Sequence, residues 1–75
     1  MKHPIYATKE LGQTVRTYRK KQQLTQADLA LLAGVGIRFI VDLEKGKPTL
    51  QFEKILQVLA ALGVQLNLET FWDKQ

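Results

Sequence analysis

Few side chains in this chain are equipped to make or break bonds. His3 is the sole histidine and cysteine is absent, which removes thiolate nucleophiles, thiolate metal sites and disulfides. The carboxylates Asp28, Asp42 and Glu44 stand at spacings that capping and ion pairing account for. Gly34-x-Gly36 has neither the preceding strand nor the Gly-Lys-Ser/Thr ending of a phosphate loop. No nucleophile–base pair or metal cluster can be assembled from the remainder. An enzyme is therefore not expected, nor a cofactor, a metal or a small-molecule substrate. What remains is charge. Between residues 16 and 47 lie Arg16, Arg19, Lys20, Lys21, Arg38, Lys45 and Lys47, opposed only by Asp28, Asp42 and Glu44. Beyond residue 47 the acidic Glu53, Glu69 and Asp73 outnumber Lys54 and Lys74. With a formal net charge of +4 and a pI near 9.6, the chemistry on offer is contact with an anion, and the basic excess is concentrated as phosphate contacts require. A solvated face accounts for Lys20 and Lys21 about as well.

The elements that must position these charges are centred on Thr25 to Gly46, TQADLALLAGVGIRFIVDLEKG. Thr25 is a good N-cap, and Asp28 three residues later completes a capping-box spacing. Leu29, Ala30 and Ala33 form one apolar face. Gly34 stands where a chain leaving a helix needs positive φ. Val35, Ile40 and Leu43 form a second apolar face, ended by Gly46 with Pro48 beyond. A small residue at Ala30, glycine four later and a branched apolar residue at Ile40 let two helices cross closely. This is the spacing logic of a helix-turn-helix.

Around it, residues 8 to about 22 form a first helix with Leu11, Val15 and Tyr18 as its stripe, and Leu24 turns inward after the polar Gln22-Gln23. Arg19, at the edge of the core-facing side, is expected to pair with Glu44, an internal ion pair that fixes geometry more than it adds stability. A fourth helix starts at the capping residue Thr49, buries Phe52, Ile55, Leu56, Leu59 and Leu62, and ends at Gly63. Then the period becomes two: Val64-Gln65-Leu66-Asn67-Leu68-Glu69 alternates as a half-buried strand does. A lone strand leaves its backbone groups without partners, and the only other short candidate is Pro4 to Ala7. Pairing of the strand with its copy in a second subunit is expected, through Val64, Leu66 and Leu68, with Phe71 and Trp72 at the seam or exposed as an anchor for another protein.

The 75 residues suffice for one small domain near the size where a single core is marginal. Expected boundaries are an arm over 1–7, a helical domain over 8–63, a dimerisation strand over 64–70 and a tail over 71–75. No apolar run reaches membrane-spanning length and MKHPIYATKE lacks a signal peptide's apolar region, so no membrane association and a cytoplasmic location are expected.

TQADLALLAGVGIRFIVDLEKGKPTLQFEKILQVLAALGVQL resembles the Xre/Cro-type helix-turn-helix domain of phage repressors, with Gln26, Ala30, Gly34, Val35, Ile40, Leu43, Glu44 and Gly46 where that family places such residues. GVGIRFIVDLEKGKPTL followed by VQLNL is similar, more narrowly, to HipB-type antitoxins. The resemblance implies an all-α, lambda-repressor-like domain of four to five helices whose short C-terminal β-strand pairs across a homodimer. It implies binding of double-stranded operator DNA with the third helix in the major groove, autorepression, and a HipA-like kinase toxin as partner. Carried over by position, the base-reading residues are Gly36, Ile37, Arg38, Val41 and Asp42. Arg38 can bond guanine O6 and N7 together, Ile37 and Val41 can touch thymine methyls, and Asp42 can accept from cytosine N4 or orient Arg38. Thr25, Gln26, Lys45 and Lys47 are placed for phosphates, with Phe39 beside them. The family usually carries polar residues where this chain has Gly36, Ile37, Phe39, Val41, Leu31 and Leu32, so readout leans on methyl contacts and DNA shape, or that face serves protein contact. A stand-alone repressor and a protein-binding adaptor are the alternative functions.

Overall fold

Among the described residues four helices follow in order: α1 Thr8–Lys21, α2 Gln26–Ala33, α3 Ile37–Lys45 and α4 Phe52–Leu62. The computed structural model describes residues 8–66, and among these there is no strand. Each helix is stopped by the same device. Gly34, Gly46 and Gly63 follow α2, α3 and α4 with φ of 73°, 85° and 73°. The next residue in each case sends its N–H back across the helix end, Val35 to the Ala30 carbonyl, Lys47 to Asp42 and Val64 to Leu59. This closure satisfies carbonyls that a helix end leaves bare, and it needs the left-handed backbone that glycine adopts without penalty. α1 closes alike, Leu24 N–H to the Arg19 carbonyl, but the left-handed residue is Gln23 at φ 60°. A side chain there costs about 1 kcal/mol or more.

The closures also feed the core. Leu24, Val35 and Val64, each just past a helix end, pack against the buried cluster of Val15, Leu29, Ala30, Ala33, Ile40, Leu43, Ile55, Val58, Leu59 and Leu62. α1 reaches α3 through Gly12, where a Cβ would collide with the Leu43 carbonyl and lie 2.9 Å from that of Glu44. The start of α1 is held there too, since the Thr8 hydroxyl donates to the Gly46 carbonyl at 2.6 Å. Side-chain amides complete two helix ends: Gln22 Nε2 donates to the Leu62 carbonyl at 2.7 Å and Gln57 Nε2 to that of Ala33 at 3.2 Å. No described helix is long and apolar enough to cross a membrane.

Three sequence expectations are corrected. Tyr18 is exposed rather than part of the α1 stripe. The core-facing side of α1 is set by Gly12, Val15 and Arg19, spaced i, i+3 and i+7, which leaves Tyr18 outside with Lys21 Nζ 5.2 Å from its ring centre. Thr49 does not cap α4; Gln51 precedes the helix without a side-chain cap. The chain after Pro48 stays irregular long enough to turn Leu50 onto the core. Phe52 and Leu56 are exposed, because α4 buries only the stripe of Ile55, Val58, Leu59 and Leu62. Of the strand expected over 64–70, residues 64–66 are irregular and Val64 belongs to the core margin. Leu68 and the rest of it lie outside the described residues, as do the arm 1–7, Phe71 and Trp72.

Gly12→Ala is expected to destabilise the fold by about 2 kcal/mol, lowering Tm by roughly 10 °C. Gln23→Gly is expected to stabilise by about 0.5–1 kcal/mol. Thermal unfolding followed by circular dichroism measures both. A Gly12→Ala protein melting with the parent would contradict the close approach of α1 to α3.

Candidate nucleic-acid interface

The side of the molecule that carries the basic residues is built on one buried ion pair. Arg19 Nε donates to Glu44 Oε2 at 2.6 Å and Nη2 to Oε1 at 3.1 Å, while Nη1 donates to the Leu24 carbonyl at 2.7 Å. Gln26 Nε2 adds a further donor to Glu44 Oε1 at 3.2 Å. The two charged side chains are only 9% and 5% exposed. The forked geometry satisfies the carboxylate on both oxygens, and a pair so desolvated must be complete to be tolerated. It ties the last turn of α1, the turn at Leu24, the first residue of α2 and the end of α3 into one unit. Gln26, expected at a phosphate, spends its amide on this carboxylate.

Thr25 caps α2. Its hydroxyl oxygen accepts from Asp28 N–H at 3.0 Å, and its own N–H donates to Asp28 Oδ2 at 2.9 Å. The backbone bond from Thr25 first, and then its side chain, hold the Asp28 carboxyl below the usual aspartate range. α2 is thereby fixed at its start, and the three residues Gly34 to Gly36 carry the chain into α3.

α3 turns Ile40 and Leu43 inward. Ile37, Arg38, Val41, Asp42 and Lys45 consequently share the outer side of its cylinder. Arg38 is 80% exposed along its side chain, with Nε 3.6 Å from Asp42 Oδ1. Asp42 is 18% exposed and meets Lys47 Nζ at 3.7 Å through its other oxygen. Both contacts exceed hydrogen-bond length and are ion pairs only. Asp42 therefore lies between two cations, a position that suits orienting Arg38 better than reaching a base. Lys47 is drawn to Asp42 by its place in the chain: it occupies the position after Gly46 that Val35 and Val64 fill with an apolar group elsewhere. Gly36 precedes α3 without a side-chain cap, and a Cβ there would meet open space, so nothing in the packing requires glycine.

A shallow concavity separates this α3 face from α1. Arg16, Thr25, Gln26, Val41 and Lys45 line it above Arg19 and Glu44. Since Arg19 and Glu44 neutralise one another, the rim cations Arg16 and Lys45 leave it positive. Thr25, Gln26, Val41 and Lys45 are thus brought together, and Ile37, Arg38, Asp42 and Lys47 continue the same side of α3. Phe39 is not brought with them: it is half-buried against the core with Lys54 Nζ 5.9 Å from its ring centre. Val64 and Leu66 follow the end of α4, in irregular chain past Gly63. Leu31 and Leu32 point outward on α2, Leu31 84% exposed. The sequence reading missed Arg16 as a rim residue and Gly12 as a packing contact. An isolated glycine inside a helical pattern is the signal that marks the second.

Two short helices joined by a three-residue turn, the first capped and anchored and the second offering an exposed face, define a helix-turn-helix unit. Residues 15–68 match the helix-turn-helix family, and the chain belongs to it. It is 56% identical over 59 residues, covering 79% of this chain and 78% of the relative, to the uncharacterized HTH-type transcriptional regulator y4mF of Sinorhizobium fredii. Among solved structures it is similar to a chain of a HipA–HipB–O2–O3 complex, at TM-score 0.84 and 20% identity over 93% of this chain and 99% of that one. It is also similar to the restriction-modification controller protein C.AhdI from Aeromonas hydrophila, at TM-score 0.71 and 28% identity over 77% of this chain and 88% of that one.

Removing one partner of the buried pair leaves an uncompensated charge. Arg19→Met and Glu44→Leu are each expected to destabilise by about 3–5 kcal/mol, and the double variant to recover most of that loss; denaturant midpoints measure it, and additive losses would contradict a coupled pair. The Asp28 carboxyl has a lower pKa folded than unfolded, so its contribution is present above the ordinary aspartate range and disappears as pH falls through the depressed value. The stability gap between the parent and Asp28→Asn is therefore expected to be full at neutral pH and to close on acidification. A gap unchanged in acid would contradict the capping role.

Proposed function

We propose that this chain is a sequence-specific, dimeric DNA-binding transcriptional repressor that serves as the antitoxin of a HipA-like kinase and represses its own operon. The observation that carries the DNA-binding part is the α3 face: an exposed Arg38 with a carboxylate one turn along at 3.6 Å, beside a positive concavity and above the buried Arg19–Glu44 pair. α3 lies in the major groove, Arg38 bonds a guanine edge, and Ile37 and Val41 lie against base methyl groups. Thr25, Lys45 and Arg16 meet phosphates across the concavity, and Lys47 meets the next, which fixes register without reading sequence. The name of the y4mF relative as a transcriptional regulator supports this reading.

The antitoxin part is supported by the resemblance of GVGIRFIVDLEKGKPTL and VQLNL to HipB-type antitoxins and by a fold like that of HipB along nearly its whole length. Likeness to a restriction-modification controller at 28% identity supports a second reading, a stand-alone regulator without a toxin. A neighbouring gene for a HipA-like kinase, and a complex between the two products, separates them. Two half-sites are held in step by pairing of the segment around residues 64–70 with its copy.

Arg38→Ala is expected to erase preference for the operator over random duplex while keeping the fold, whereas Lys47→Ala weakens binding to all sequences and flattens its salt dependence. Fluorescence anisotropy across a salt series measures both; unchanged operator preference in Arg38→Ala would remove the readout role. Deleting residues 67–75, which spares Val64 on the core, is expected to give monomers by sedimentation and weaker operator binding. A dimeric truncation would move the subunit contact elsewhere.

A further inference from the structure

The outer side of α3 carries two parallel ridges. Ile37 and Val41 form one, each a turn apart, and Arg38 and Asp42 form the other immediately beside it. Ile37 is half exposed and Val41 partly so, and neither can accept or donate a hydrogen bond. Arg38 follows Ile37 directly and stands three residues before Val41, about 5–6 Å from it at Cβ, while neighbouring base pairs are about 3.4 Å apart along the duplex. An apolar contact and an arginine contact so close on one helix suit neighbouring base pairs.

In the major groove the apolar feature available to such a ridge is the C5-methyl of thymine, while an arginine fork suits guanine O6 and N7. Asp42 Oδ1 lies 3.6 Å from Nε of Arg38, which leaves both terminal nitrogens for the base. Asp42 is largely covered and each of its oxygens lies near a cation, Arg38 or Lys47, a placement that favours positioning the arginine over accepting from cytosine N4.

Resting on the DNA-binding reading, we propose that this face selects a guanine adjacent to a pyrimidine that carries a C5-methyl group. The methyl is read by Ile37 and Val41, the guanine by Arg38, and Asp42 acts as a positioning residue for the arginine. Thymine supplies the methyl in ordinary DNA. 5-Methylcytosine supplies the same group with a different hydrogen-bond edge, so binding at a cytosine–guanine step responds to cytosine-5 methylation.

The test uses the full chain and a duplex enriched by it from a random pool. Replacing the thymine beside the contacted guanine by uracil deletes the methyl and nothing else; affinity is expected to fall about three- to fivefold per methyl. Cytosine at that position is expected to bind weakly and 5-methylcytosine to restore several-fold. In Ile37→Ala the thymine/uracil ratio is expected to collapse towards one while guanine preference remains. In Asp42→Asn the preference for guanine over 7-deazaguanine is expected to fall, a change that a merely structural role for Asp42 would not produce. Equal affinity for thymine and uracil duplexes, or an Ile37→Ala protein that keeps the parent's ratio, would overturn the proposal and leave DNA binding standing. A chain that enriches no duplex and binds none with a salt-dependent affinity would overturn the underlying reading as well.

Discussion

The contact between Arg19 and Glu44 is the constraint on which the rest of the molecule depends. A guanidinium and a carboxylate removed from water are tolerated only with every donor and acceptor matched, and matching them requires the end of α1, the turn at Leu24, the start of α2 and the end of α3 to stand in one arrangement. The apolar cluster supplies the driving force for collapse, but apolar contacts of similar volume tolerate many relative rotations of short helices. The ion pair does not. With Gly12 letting α1 approach the α3 carbonyls, it sets the angle at which α3 presents its outer face.

That face follows from the same economy of a small chain. α3 has nine residues, and two of them, Ile40 and Leu43, are turned wholly inward. The outward positions are then free of packing duties, and their composition is informative for that reason. Arg38 with Asp42 at i+4 forms a charged ridge, Ile37 with Val41 an apolar one. At the end of α3 the apolar residue that follows the other closures is replaced by Lys47, and its ammonium goes to Asp42. The carboxylate is left between two cations, and the local excess of positive charge is preserved. The concavity lined by Arg16, Thr25 and Lys45 extends it towards α1.

Much of this was legible in the sequence because it is local. The capping box of Thr25 and Asp28, the positive φ of Gly34, the helix stops at Gly46 and Gly63, and the inward stripes of α2 and α3 are decided within a few residues. The Arg19 and Glu44 partnership was legible because a charge at the margin of an apolar stripe demands an opposite one. What could not be read depends on how many neighbours a helix has. Tyr18, Phe52 and Leu56 satisfy helical periodicity as well as any buried residue, but their sides of α1 and α4 face no other described helix. Gln23 conceals a left-handed position that glycine would have advertised. The turn of Leu50 onto the core displaces the start of α4 past Thr49, a tertiary demand that outweighs a good capping residue. At the site, the outward residues of α3 were legible through the family resemblance, which carried them over by position, whereas the diversion of Gln26 to Glu44 and of Lys47 to Asp42 was not, because both depend on distances between separate turns.

We propose that the outer face of α3, with the concavity beside it, is the surface that meets a duplex, and backbone and side-chain chemical shifts recorded as a duplex is added report on it residue by residue. The largest changes are expected at Ile37, Arg38, Val41 and Lys45, with a second group at Arg16 and Thr25, and little change along the outer side of α4. Changes confined to Leu31, Leu32, Phe52 and Leu56, with Arg38 undisturbed, would contradict it.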